Sequence, residues 1–335
     1  MKSIARMFMM PTVLLTVSLL GVGAPQSSRS DNRIGNKGGP RTDQEILSST
    51  RESYTFHMFD FKGDWAAAYG INDAALAVGG AFITELSGYL SFLWRDGRLE
   101  TLQHGDNTVV DMEKVNNWGL VSGGVGTAER EDAALYFPLT ARWILLPPVP
   151  GKPFNFCMKI NNVGIAVGQA CAGTYSSQAD CVAWVWNGHA YSFIQVPPGQ
   201  PLQYTGPISI NDRGQIVGQT VDQDGHVHPY LQDGSQITYL DYPGAPDTYV
   251  NDINNHGEVI LDASFGPNLQ PNQNYIWRKG IFSPIPSYSD GVRTFQTLTH
   301  GLNDRGDFSG AWVDDSGVFH PFVAVRRTPG AVMQR

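Results

Sequence analysis

Charged side chains are scarce in this sequence: Asp, Glu, Lys and Arg make up 16% of its 335 residues. Cysteine is scarcer, with Cys157, Cys171 and Cys181 alone. Their spacing lacks the paired short intervals of a thiolate zinc site. In an oxidising compartment Cys171 and Cys181 would close a short loop between adjacent strands, leaving Cys157 as a buried free thiol. Residues 1–50 hold six of the 23 basic and three of the 31 acidic groups. The remainder therefore carries about −11, a charge that repels phosphate backbones and argues against nucleic acid as a partner. Neither a Gly-x-Ser-x-Gly elbow nor a His-Glu-x-x-His pair occurs, and no motif calls for a cofactor or a metal.

Long apolar runs are also missing. The run Met7 to Leu20 includes Pro11 and is short for a membrane span, although an N-terminal anchor helix is the alternative to be weighed. With Lys2 and Arg6 before it and Gly21-Val22-Gly23-Ala24 after it, it reads as a secretory signal. Residues 25–50 have almost no apolar pattern and read as a flexible leader. The expected organisation is a signal over 1–24, a leader over 25–50, a folded domain over 51–327 and a tail over 328–335. Such a product would be secreted or periplasmic.

What is plentiful is repetition. An aliphatic residue, Asn, then Asn or Asp recurs as Ile71-Asn72-Asp73, Val115-Asn116-Asn117, Ile160-Asn161-Asn162, Ile210-Asn211-Asp212, Ile253-Asn254-Asn255 and Leu302-Asn303-Asp304. The Asn residues are spaced by 44, 45, 50, 43 and 49, periods typical of propeller blades. Gly stands three residues after the Asn in all but the first, where Ala75 replaces it; Asn-x-x-Gly marks a tight turn. In the fourth repeat, strand-like runs end at Ile210 and cover 215–220, 228–232 and 236–241, with Asp-Gly hairpin signals at Asp224-Gly225 and Asp233-Gly234.

The last repeat supplies three such runs. A fourth, Tyr54 to Asp60, stands out of place before the first repeat. Docked on the last repeat it would leave no open sheet edge. The expected fold is therefore an all-β, six-bladed β-propeller of four-stranded antiparallel blades, its ring closed by the strand at about 54–60.

The phrase Ile210-Asn211-Asp212-Arg213-Gly214-Gln215-Ile216-Val217-Gly218, followed by His228-Pro229-Tyr230, resembles the HAF-type probable extracellular repeat family of bacteria. That resemblance spans roughly residues 54–325 and implies a secreted repeat protein, a propeller without a defined activity. The family's His-Ala-Phe survives only as His228-Pro229-Tyr230 and His320-Pro321-Phe322. Gly79-Gly80 and Gly123-Gly124 hint at kelch repeats, but four repeats lack such doublets.

A residue repeated in every blade solves a problem every blade has, so the six Asn read as turn formers. Function should sit in what varies. First strands line a propeller's channel, and there Glu113-Lys114, Lys159, Asp252 and His300 vary between repeats. Glu113, Asp252 and His300 are the acid–base candidates for a hydrolase or lyase. Lys114 and Lys159 suit an ion or small anion. The proline-stiffened connections Pro147–Phe154 and Val196–Tyr204, with Tyr242, Tyr249, Tyr288 and Phe295, are expected to set aromatics on one rim. Phe154, Tyr204, Tyr249 and Phe295 thus become ligand-binding candidates. The leading expectation is a non-catalytic module that binds a glycan or an extracellular protein.

Overall fold

The computed structural model describes residues 54–59, 65–83, 88–105, 109–127, 129–173, 180–194, 204–266 and 272–327. The expected signal, leader and tail, and residues 196–203, lie outside these; Tyr204 is described only through its backbone.

No α-helix occurs among the described residues, which form 24 strands and a 3-10 turn at Pro138–Thr140. After β1 (Tyr54–Met58), the strands fall into six units. Unit one is β2 (Trp65–Ile71), β3 (Ala77–Ile83), β4 (Gly88–Arg95) and β5 (Arg98–Thr101). Unit two is β6 (Val109–Val115), β7 (Val121–Gly126), β8 (Glu131–Phe137) and β9 (Arg142–Leu145). Unit three is β10 (Phe154–Ile160), β11 (Ala166–Cys171), β12 (Cys181–Trp186) and β13 (Tyr191–Phe193). Unit four is β14 (Tyr204–Ile210), β15 (Ile216–Val221), β16 (Val227–Asp233) and β17 (Gln236–Tyr239). Unit five is β18 (Asp247–Ile253), β19 (Val259–Ser264), β20 (Asn272–Arg278) and β21 (Ile281–Pro284). Unit six is β22 (Gln296–Leu302), β23 (Phe308–Val313) and β24 (Phe319–Arg326).

Within each unit every strand pairs antiparallel with the next, as hairpins dictate. β1 supplies the fourth strand of unit six, antiparallel to β24, with Tyr54 opposite Arg326 and Met58 opposite Phe322. Its rings enter the core there: Tyr54 meets Phe308 at 4.9 Å and Phe56 meets Phe322 at 5.1 Å. Single parallel bridges join units six, one, two and three into one sixteen-stranded sheet, while units four and five are separate four-stranded sheets.

Second strands such as β7 (VSGGVG) and β11 (AVGQAC) are buried throughout, whereas outermost strands such as β5 are exposed. Inner strands have a neighbour on both faces and so read as near-continuous apolar or small-residue runs. The core accordingly lies between units. One cluster joins Val167 of unit three, Ile210 and Ile216 of unit four and Ile253 and Leu261 of unit five. Cys171 and Cys181 are bonded across β11 and β12, and Cys157 is a buried free thiol.

The Asn phrases do more than turn the chain. Each Asn Oδ1 accepts the backbone N–H groups two and four residues later, as Asn161 does from Val163 (3.2 Å) and Ile165 (2.8 Å). The turn then exits through a residue at positive φ, Gly in five units and Ala75 (φ 56°) in the first. Each Asn Nδ2 meanwhile donates to the carbonyl of the next unit's Asn. The bonds run from Asn72 to Asn116, Asn161, Asn211, Asn254 and Asn303, and Asn303 donates back to Asn72 at 3.1 Å.

Asn161→Ala removes two turn bonds and one bond between units from a buried site. It should lower stability by about 2–4 kcal/mol at roughly 1 kcal/mol or more per lost bond. Asn161→Asp, which keeps the acceptor and loses the donor, should fall between. Urea denaturation of the two variants measures this, and an Asn161→Asp protein as stable as the parent would deny the inter-unit bond any worth.

Candidate functional site

All six inner strands carry a bulge at the same place, at Ala68/Gly70, Met112/Lys114, Cys157/Lys159, Pro207/Ser209, Val250/Asp252 and Thr299/Gly301. A bulge re-aims side chains that a regular strand would bury between sheets. Here it gathers Tyr69, Glu113, Lys114, Lys159, Ser209, Asn251, Asp252 and His300 from six units toward one centre.

Lys114 occupies that centre. Its ammonium donates to the carbonyls of Tyr69 (2.8 Å), Asn251 (3.0 Å) and His300 (2.6 Å), from units one, five and six, and sits 3.8 Å from Asp252 Oδ2. Gly70 lets the neighbouring strand approach, since a Cβ on it would lie 2.8 Å from the Lys114 Cα. Lys159 donates to Asp252 Oδ1 (2.7 Å) and the Ile253 carbonyl (3.1 Å). Ser209 Oγ lies 2.5 Å from the same carboxylate oxygen, and the Leu302 N–H bonds the other at 3.0 Å.

Burial alone would raise Asp252, but Lys159 and Lys114 outweigh it and hold the carboxyl below its ordinary value. Burial pushes Lys114 down and pushes His300 down to about 3, the latter helped by the nearby Lys114 charge. Glu113 goes the other way, to about 7, because burial outweighs the attraction of Lys114. The channel candidates are therefore together but unlike. Asp252 and Lys114 are locked in a structural plug, while Glu113 and His300 keep unused hydrogen-bonding capacity.

The aromatic candidates are placed differently from the expectation of an open rim. Phe154 is buried. Tyr242 stacks on Tyr275 at 4.2 Å and meets Phe282 edge-on at 5.2 Å. Tyr288 stacks on Phe295 at 5.5 Å, and Trp312 lies against both. Tyr249 is half-buried, and burial raises its hydroxyl to about 12. The described rings mostly cap gaps between strands, because a ring gains more by excluding water there than by facing it.

The hairpin Asp222 to His228 is also accounted for. Asp222 accepts the N–H groups of Asp224 and His226, and His228 rests between Asp241 (2.9 Å) and Asp222 (3.3 Å). Asp314 and His320 repeat the arrangement in unit six.

At the Asn-turn end a shallow, solvent-open pocket lies over the centre. Ile160, Ile210, Ile253 and Leu302 line it with Lys159, below the Asn cycle. Above that cycle lies a second. Each backbone N–H of Asp73, Asn117, Asn162, Asp212, Asn255 and Asp304 donates to the side-chain oxygen of the next unit's residue, and Asp304 returns to Asp73 at 2.9 Å. Beside it stands Trp118, 78% exposed, its indole N–H fixed by the Asn162 carbonyl at 3.0 Å. Val163 on the next turn is exposed as well. Trp118 and the second ring were missed in the sequence. The Asn-or-Asp at the phrase's third position was the available signal for the ring.

No family model matches the chain, and no curated protein does. Among solved structures it resembles a protein of unknown function from Dyadobacter fermentans (10% identity, 83% of this chain and 99% of that one, TM-score 0.53). It also resembles a triple arginine-to-alanine mutant of AofleA from Arthrobotrys oligospora (10% identity, 83% and 89%, TM-score 0.51). A gluconolactonase-like protein matches at 12% identity over 84% and 96%, with a TM-score of 0.50. At these identities the likeness is one of fold, and the fold is propeller-like and all-β.

Proposed function

We propose that this chain is a six-bladed β-propeller closed by β1, and that it serves outside the cytoplasm as a non-catalytic binding protein for carbohydrate. The two Asn-based bond cycles, each returning to its starting unit, and the β1–β24 pairing support the ring. The HAF-type repeat phrase and the N-terminal run support an extracytoplasmic setting.

The observation that carries the binding reading is Trp118. An indole with its N–H already committed has only its face to offer, and Trp118 holds that face 78% exposed beside the exposed Val163. A sugar ring stacks its C–H face on such a surface and presents hydroxyls to its side. Here the side is the pocket edge, where amides and carboxylates of Asn162, Asp212, Asn255 and Asp304 alternate and Lys159 lies below. Polar groups in a concave site fix orientation while the aromatic face contributes contact area. The acid–base reading loses Asp252, whose carboxylate is occupied by Lys159, Ser209 and backbone.

A glycan array probed with residues 51–335, followed by titration of the best hit, tests this. Trp118→Ala should weaken binding at least tenfold, equivalent to about 1.4 kcal/mol, with the melting temperature unchanged. Absence of any glycan hit, or a hit indifferent to Trp118, rejects the site. Capture of a protein partner through the exposed Trp118, Val163 and Leu139 with no glycan bound would replace carbohydrate by protein.

A further inference from the structure

The Gly doublets noted in the sequence occur in units one and two, and the structure shows what they make room for. Opposite the third residue of each inner strand stand Gly80, Gly124, Gln169, Gln219, Asp262 and Ala311. A Cβ on Gly80 would lie 1.9 Å from the Tyr89 hydroxyl, and one on Gly124 would lie 2.2 Å from Glu131 Oε1. These two side chains thus lie flat over glycine and reach inward.

They meet Asp111, Glu113, Tyr69 and His300. The Tyr89 hydroxyl is 3.1 Å from that of Tyr69 and within hydrogen-bond reach of Asp111, whose carboxyl also feels Glu113 and Glu131. Tyr69 sits edge-on to the His300 ring at 5.3 Å. Phe156 approaches Glu131 over Gly124. Lys114 fills the centre below and ties its protons to backbone carbonyls.

This cluster is unfinished. The Glu113 carboxylate, on a residue only 4% exposed, accepts no hydrogen bond among the described residues. Asp111 Oδ1 is buried without a partner. The His300 ring, on a residue 7% exposed, faces Tyr69 edge-on rather than a hydrogen-bond donor or acceptor. Asp262, by contrast, takes bonds from Thr299 and Asn251. A polar atom cut off from water without a partner is costly, so Asp111 Oδ1, with the unbonded carboxylate of Glu113 and the His300 ring beside it, calls for a bound group. Asp111 and Tyr89 are only half-buried and open the cluster to solvent.

We propose that this cluster is a second binding site, distinct from the Trp118 pocket, that takes a small protonated primary amine. The ammonium would be bonded by Glu113 and Asp111, accepted by His300 and faced by the Tyr69 ring. Burial and the neighbouring carboxyls hold Asp111 well above its ordinary value and burial raises Glu113, so the ammonium would bind by drawing both to the ionised form. Ionised donors on ionised acceptors give the stronger class of hydrogen bond, and the tyrosine face adds cation–π attraction.

Isothermal titration at pH 8 with butylammonium, tetramethylammonium and the neutral butanol tests it. Butylammonium should bind and raise the melting temperature; butanol should do neither. Glu113→Gln and His300→Phe should each weaken butylammonium at least tenfold while glycan binding through Trp118 is retained. That last readout separates failure of this site from a failed fold or failure of the carbohydrate reading. Binding of butanol as strong as the amine, no heat with either cation, or unchanged affinity in Glu113→Gln overturns the proposal. Preference for tetramethylammonium would overturn the primary-amine assignment.

Discussion

Replacing Lys114 by methionine should remove about 3–5 kcal/mol of folding stability, the usual cost of breaking one side of a buried ion pair. The ammonium bonds carbonyls from units one, five and six and lies beside Asp252. Methionine has a similar length, so the loss is of donors rather than volume. Three inward carbonyls would then lack a partner and Asp252 would keep only Lys159 as its cation. In a domain of this size the melting temperature should drop by roughly 6–20 °C, at about 2–4 °C per kcal/mol. Differential scanning calorimetry reads it directly. A loss below about 1 kcal/mol would mean that water can replace the ammonium, and the centre would not be a plug.

Raising the pH from 6.5 to 8 should destabilise the protein, and Glu113→Gln should reverse much of the effect. Burial lifts the carboxyls of Glu113 and Asp262 to about 7 in the folded state. Above pH 6.5 the unfolded chain has released both protons while the native state still holds part of its own. The native state then binds more protons, so stability falls as pH rises. For two such groups the loss between pH 6.5 and 8 is about 1–2 kcal/mol. His300, buried and neutral, works in the opposite sense, but only below about 6.5, where the unfolded imidazole would take up a proton. Glutamine mimics the protonated acid, so at pH 8 Glu113→Gln should be more stable than the parent by about 3 kcal/mol. Urea midpoints at pH 6.5 and 8 for both proteins check this. A parent stability that is flat or rising across that window would place Glu113 in contact with solvent.

The four-strand repeat could be read from sequence because each unit solves its folding problem locally. Asn-x-x-Gly turns and Asp-Gly hairpins are decided by neighbouring residues, and the strands observed in unit four lie within a residue or two of the expected runs. The partner of Tyr54–Met58 was legible by counting, since a run resembling a fourth strand had no repeat of its own. What Asn Nδ2 does was not legible, because its acceptor lies 43 to 50 residues away in five units and 231 in the sixth, and only the assembled units bring it near. Lys114 and Lys159 sit one repeat apart at matching positions. Only the register of the bulges shows that the first crosses to three other units and the second faces a pocket. For Tyr242 and Tyr288 composition could not distinguish a ring that meets solvent from one that meets another ring. Trp118 stood in plain view within its turn phrase, and was overlooked because every other unit carries a different residue there.

The most direct test of binding at the Asn-turn end is the indole N–H resonance of Trp118, followed by nuclear magnetic resonance as the array-selected glycan is added. That resonance, assigned by its loss in Trp118→Ala, should shift and saturate with the same affinity as the titration. Saturable binding that leaves it unmoved while the Trp312 resonance shifts would put the ligand at the opposite end of the molecule and contradict the site proposed here.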